Sequence, residues 1–407
     1  MKLKLLLSLI FTAPLFAEGS SWLENDRLTG DWGGVRTAQE EAGYKFFAYY
    51  NAIFAANVDG GNSTDSSYAG DLFIGAELDL EKIFGWDDTK FVLSGIDRAG
   101  RSIDEAVGGQ YSVMQCVGGQ NAFLYNITLE KKFFDDTLSV KLGRMSATDD
   151  FVGSPYYGFS VNNAVNGQIR AALFDGVMSS YPFPVWGGRV KYDLNDEAYA
   201  MLGVFQNPTD MFDRDTQGVD FNFESGDGVS IFTQGNWNPK FDDRPAHFYA
   251  GMNVAFFEMD EFNSTDTRDQ FVRFYGHADY QVCAESPGSE EGLVLFATLG
   301  YSPFQDAAII PVQSTFGANY EGLFPGREKD NTVFFATYGN FSNDYTAQQV
   351  NAGAGSPEYE LVLEIGHRFQ VTPAAYIQPD IQYIVHPGGT GDIPNALVIG
   401  FQYGASF

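Results

Sequence analysis

The segment from Leu397 to Phe407 constrains the fold more than any other. Leu397, Ile399, Phe401, Tyr403, Ala405 and Phe407 are apolar at every second position, while Val398, Gly400, Gln402, Gly404 and Ser406 occupy the alternate ones. Side chains of a strand alternate between its two faces, so this is a strand with one greasy face and one small or polar face. An amphipathic strand ending on an aromatic residue suits the closing strand of a membrane barrel.

The other end of the chain points to export. Lys2 and Lys4 precede an apolar run from Leu5 to Phe16, and Ala17 offers a cleavage position before Glu18. This pattern predicts a signal peptide over 1–17, too short to cross a bilayer as a helix. No later run is long and apolar enough for a membrane helix. The chain is therefore expected to be either a soluble exported protein or a barrel in an outer membrane.

Between these ends the pattern is strand, turn, strand. Leu72, Ile74, Ala76, Leu78 and Leu80 alternate with Asp71, Phe73, Gly75, Glu77 and Asp79. Phe123, Tyr125, Ile127 and Leu129 alternate with Leu124, Asn126, Thr128 and Glu130. Val272, Phe274, Gly276, Ala278 and Tyr280 alternate with Arg273, Tyr275, His277, Asp279 and Gln281. Leu361, Leu363 and Ile365 alternate with Glu360, Val362, Glu364, Gly366 and Arg368. The acids keep almost wholly to one parity, as a water-filled lumen requires.

Strand starts are expected near Tyr44, Asp71, Lys90, Ala122, Leu138, Val185, Ala198, Val229, His247, Phe271, Leu293, Thr315, Val333, Tyr359, Ala375 and Leu397. The fold class read from this is all-β: a transmembrane antiparallel β-barrel of about sixteen strands. Leu23–Gly43 is the one helical segment, so the expected organisation is a signal peptide over 1–17, an N-terminal segment over 18–43 and a barrel over 44–407. Ser102–Gly119, Met145–Pro184 and Gln206–Gly228 are too long for periplasmic turns. They are expected to be external loops, or loops folded into the lumen.

With 53 acidic and 24 basic residues the net charge is -29, which argues against nucleic acid as a partner. The 37 Phe and 22 Tyr supply the aromatic girdles that a barrel needs at both membrane interfaces. Cys116 and Cys283 would be free to pair in an oxidising compartment, and the sequence leaves that open. Asp213 to Glu224 follows the spacing of a calcium loop, but its flanks do not read as helices, and no cofactor or metal is assigned. Zinc spacings, a nucleophile elbow and a phosphate loop are all missing from the sequence, so no enzyme is expected.

Several motifs, taken in order, resemble the carbohydrate-selective porins of the OprB type. They begin with Leu28-Thr29-Gly30-Asp31-Trp32-Gly33-Gly34-Val35-Arg36. Gly143-Arg144 with Asp149-Asp150-Phe151 follows, then Tyr181-Pro182 with Trp186-Gly187-Gly188-Arg189. Gly326-Arg327 with Asp330 comes next. Last are Glu360 and Glu364, Pro379-Asp380-Ile381-Gln382-Tyr383 and Pro387-Gly388-Gly389. One departure is His367, where a Tyr is expected three residues after Glu364. The resemblance implies a sixteen-stranded outer-membrane channel for sugars.

A sugar presents hydroxyls at its edge and apolar ring faces, so a selective channel needs carboxylates, guanidinium groups and aromatic rings. The candidates for the pore lining are Arg36, Asp97, Arg98, Arg101, Arg144, Asp150, Arg189, Glu360, Glu364, Asp380 and Gln382. Expected partners are mono- or oligosaccharides and outer-membrane lipid, with a homotrimer compatible with the sequence and a monomer equally so. The competing readings are a general or ion-selective porin and a soluble exported sugar-binding β-protein.

Overall fold

The computed structural model describes residues 23–175, 178–289 and 291–407. The expected signal peptide lies outside the described residues. A short 3-10 turn, Trp32–Gly34, leads into helix α1, Val35–Glu41. The helix is thus shorter than the Leu23–Gly43 expectation. Gly33 and Gly34 have positive φ, so the chain cannot continue helically through them.

The strands then follow in sequence. β1 is Tyr44–Asp59, β2 Asp65–Asp79, β3 Thr89–Gly100, β4 Ala122–Phe133, β5 Leu138–Met145, β6 Val185–Asn195, β7 Ala198–Asn207 and β8 Gly228–Trp237. β9, Lys240–Phe241, is a two-residue extension of a turn. β10 is Arg244–Asp260, β11 Thr267–Ala284, β12 Gly292–Tyr301, β13 Val312–Glu321, β14 Asn331–Asn340, β15 Tyr359–Thr372, β16 Ala375–Val385 and β17 Ala396–Ser406. Short helices α2 (Leu80–Phe84), α3 (Asp104–Val107), α4 (Ala171–Phe174) and α5 (Asn343–Asn351) lie in the connections.

Setting β9 aside, sixteen strands pair antiparallel with their neighbours. β17 closes the sheet on β1, with Phe54 opposite Phe401 and Tyr49 opposite Ser406. An even strand count is what allows antiparallel pairing to persist across the closure, and closure leaves no unpaired edge in lipid. The expected strand count and most of the expected starts are borne out. β2 begins earlier, at Asp65, where polar residues still pair with Asn57 of β1.

The outer face carries the apolar set. Ile74, Leu93, Leu129, Leu142, Leu202, Leu299, Ile365, Ile381 and Ile399 are exposed around the waist. Tyr44, Phe46, Trp86, Phe134, Trp237 and Phe369 are exposed toward one rim, and Phe54, Tyr68, Phe256 and Tyr301 toward the other. An apolar belt between aromatic girdles is a lipid-facing surface, and a soluble protein would not expose it.

One face assignment fails. Phe123 and Tyr125 were expected to share a face with Leu129. They are buried in the barrel, while Leu129 is exposed outside. The register between β3 and β4 shifts at Leu93/Gly95, a β-bulge that inserts one residue and turns the following side chains to the opposite face.

Connections alternate in length around the barrel. Short turns such as 134–137, 196–197 and 373–374 fall at the end where β1 starts and β17 finishes, the periplasmic end by the rule for such barrels. The 101–121 and 146–184 connections fall at the other end and turn back inside.

Candidate functional site

Both long loops are fastened to the wall formed by β15 and β16. Glu360 and Glu364 sit on the inward parity of β15 and are fully buried. Glu360 accepts backbone N–H bonds from Gln110 (2.7 Å) and Tyr111 (3.1 Å) of the first loop, and from Gly388 (2.7 Å). Glu364 accepts from the Ser160 hydroxyl (2.6 Å) and from the Val161 (2.5 Å) and Asn162 (3.4 Å) amides of the second loop. One strand face therefore holds two loops, because residues four apart on a strand point the same way about two pleats apart.

β16 continues the same wall. Gln382 accepts from Asn162 Nδ2 (2.9 Å) and donates to the Val113 carbonyl (3.0 Å) and to Asp380 (2.9 Å). Gln378 donates to the Phe159 carbonyl (2.7 Å). Arg368 donates to Gln378 (2.8 Å) and to the Gly158 carbonyl (2.9 Å), and its guanidinium lies over Phe159 and Tyr376. Tyr111 reaches Gln313 on β13 and passes against Gly339 of β14, where a Cβ would fall 2.2 Å from its hydroxyl. Only glycine leaves that approach open.

The walls on either side of β15–β16 use charge pairs. Arg98 of β3 donates to Asp71 of β2 (2.6 Å) and to the carbonyls of Val117 (3.2 Å) and Gly118 (2.7 Å). Tyr181 of the second loop donates to the same Asp71 (2.5 Å) and lies beneath Arg98. Arg273 of β11 pairs with Asp175, and both side chains are almost wholly buried. Across the barrel, on β5 and β6, Arg189 contacts Asp150 (3.2 Å), Glu130 (2.9 Å) and Ser139 (2.7 Å), and Lys141 contacts Asp150 (3.0 Å).

Within the folded-in loops, Arg170 is half-buried and has no partner for Nε. Burial first, and then the nearby Arg98 charge, push its pKa down to about 10, against the pull of Asp104 and Tyr111. Asp104 accepts from Ser112 Oγ (2.9 Å), and burial raises its carboxyl above the usual range. Tyr111, Phe174 and Tyr181 bring aromatic faces to the same interior. The barrel is thus narrowed by two loops that carry guanidinium, carboxylate and aromatic groups.

Comparison with known proteins bears directly on this arrangement. The family model described as "Carbohydrate-selective porin, OprB family" matches residues 63–407. The chain belongs to the OprB family of carbohydrate-selective porins. Porin B of Pseudomonas aeruginosa is 28% identical over 440 residues, covering 96% of this chain and 92% of the relative. The high-pH structure of Pseudomonas putida OprB superposes with a TM-score of 0.90 at 25% identity, covering 95% of this chain and all of that one. With the closed barrel, membership makes the protein an outer-membrane porin for carbohydrates.

The candidate residues of this porin fall in several places. Arg98, Asp150, Arg189, Glu360, Glu364, Asp380 and Gln382 point into the barrel. Asp97 does not: it alternates with Arg98 and is exposed on the other face, so the counter-charge of Arg98 is Asp71 instead. Arg144 shares the outward parity of exposed Leu142 and lies under the 208–227 loop, donating to the Pro184 carbonyl (2.9 Å) and facing Phe221. Arg101 is exposed at the outer rim in a two-point pair with Asp65 (2.6 and 2.9 Å). Arg36 packs on Trp32 and donates to Thr29 (2.9 Å) in the N-terminal turn.

His367, the departure from the family pattern, is on the outer face among Phe324 and Phe369, so it leaves the lumen wall unaltered. Cys116, buried in the first loop, and Cys283, exposed on β11, are both free. Among the described residues, the acids between Asp213 and Glu224 do not converge as a group of three metal ligands. Sequence reasoning missed Asp71, Asp104, Arg170, Asp175 and the Tyr111 anchor. Asp71 acts through cross-strand register and the others through loop paths, neither of which strand periodicity encodes.

Proposed function

We propose that sugars pass passively along the inner edge of the two folded-in loops. Arg170 donates to hydroxyls, Asp150 and Asp104 accept from them, and Phe174 and Tyr181 contact ring faces. In this reading Glu360, Glu364, Asp380 and Gln382 are positioning residues: they hold the loops rather than the sugar. A channel must bind weakly enough to release, and separate half-buried polar groups that already share bonds with the loops meet that need. The same openness speaks against catalysis, since paired carboxylates need a dry site to divide acid and base roles. The outer belt would face lipid, in a monomer or a homotrimer.

The observation that carries this reading is the fastening of both loops inside the barrel by Glu360 and Glu364. Liposome swelling tests it. Vesicles containing the porin should swell faster in isotonic hexose than in an isotonic neutral solute of equal size without vicinal hydroxyls. Equal rates for both would remove the sugar preference and leave a general diffusion pore.

A further inference from the structure

β10 and β11 pair with His247 opposite Asp279 and Tyr249 opposite His277, all four on the inward face. His277 Nε2 lies 2.8 Å and His247 Nδ1 3.3 Å from the same oxygen of Asp279. One donor atom from each of the three side chains lies within 4.8 Å of the others, the one such group among the described residues. The outer nitrogen of His277, Nδ1, is 2.9 Å from the Tyr157 hydroxyl of the second loop. The His277 ring stacks on Tyr249 at 5.2 Å. His247 keeps 23% of its side chain exposed, so the group is reachable from the lumen.

We propose that His247, His277 and Asp279 form a binding site for a divalent transition-metal ion of the zinc type. Two imidazoles and one carboxylate are a donor set such ions favour over calcium or magnesium, and three protein ligands leave a position for water. Tyr157 engages Nδ1 of His277, so Nε2, which now bonds to Asp279, is the nitrogen turned toward the ion, the orienting role that a second hydrogen bond plays in metal sites. Because Tyr157 belongs to the loop and His277 to the wall, an ion held here clamps the loop against β11. The site lies away from the β15–β16 anchors and does not depend on the sugar reading.

The test is a calorimetric titration of the full-length, detergent-folded porin with Zn2+ alone. One saturable, EDTA-reversible site per chain is expected, unaffected by excess Ca2+. His247→Gln, at the partly exposed ligand, should weaken binding at least tenfold while the barrel keeps its heat-modifiable migration on gels. His277→Ala should weaken it by as much or more. Absence of a saturable site, or His247→Gln binding with the wild-type affinity, would overturn the proposal.

Discussion

Replacing Glu364 by Ala should release the second loop without opening the barrel. The wild-type carboxylate is 1% exposed and takes two short bonds, from Ser160 Oγ at 2.6 Å and Val161 N at 2.5 Å, and a longer one from Asn162 N at 3.4 Å. Hydrogen bonds to a charged acceptor contribute roughly 1.5–3 kcal/mol each, so the two short ones hold the loop by about 3–6 kcal/mol. Water reaching the vacated space recovers part of this, and about 3 kcal/mol is a fair lower figure. That shifts the docked-to-released ratio about a hundredfold. The assay is limited proteolysis of the detergent-folded protein, with the 146–184 loop as target, alongside single-channel recording. Cleavage should quicken in Glu364→Ala, the open-channel current should become noisier, and the barrel should keep its gel mobility. Glu364→Gln keeps one oxygen acceptor and should fall between. Wild-type protection and a wild-type trace in Glu364→Ala would refute the anchoring argument.

Other perturbations follow from the same contacts. Arg98→Met should cost about 3–5 kcal/mol, read as a lower unfolding temperature, because Asp71 is left buried beside Tyr181 with no cation. Arg101→Ala should leave both the melt and sugar conduction at wild-type values, since its pair with Asp65 is exposed. Gly339→Val should drive Tyr111 off β14 and weaken sugar block, because even a Cβ there collides with the Tyr111 hydroxyl. Asp31 has its carboxyl lowered below the usual range by the Thr37 hydroxyl and amide. Its contribution to the N-terminal turn is therefore present above the unfolded value of about 4 and lost as pH falls through the lower folded one. The protection factor of the Thr37 amide, with the intrinsic exchange rate divided out, should fall on acidification, and Asp31→Asn should remove that fall.

The barrel was legible because membrane strands obey a two-residue rhythm with opposite chemistry on each face. Arg273, His277, Asp279 and Gln281 on one parity, against Phe274 and Tyr280 on the other, place β11 without further information. The rhythm misled where it was locally broken: the bulge in β4 turned Tyr125 inward beside Tyr181. Site reading was weaker for a different reason. Asp97 and Arg98 are neighbours in sequence, but neighbours on a strand face apart, and the true partner, Asp71, comes from cross-strand register. Glu360 and Glu364 were legible as inward acids. That they hold loops depends on where residues 110–111 and 160–162 travel, and no local periodicity records that path.

The central claim is a channel whose folded-in loops recognise sugar. Single-channel conductance of the purified porin in a planar bilayer, titrated with glucose and then with longer sugars, tests it most directly. The account predicts a current that falls saturably as sugar is added and recovers on washout. A stable conductance that no sugar alters at any concentration would contradict it.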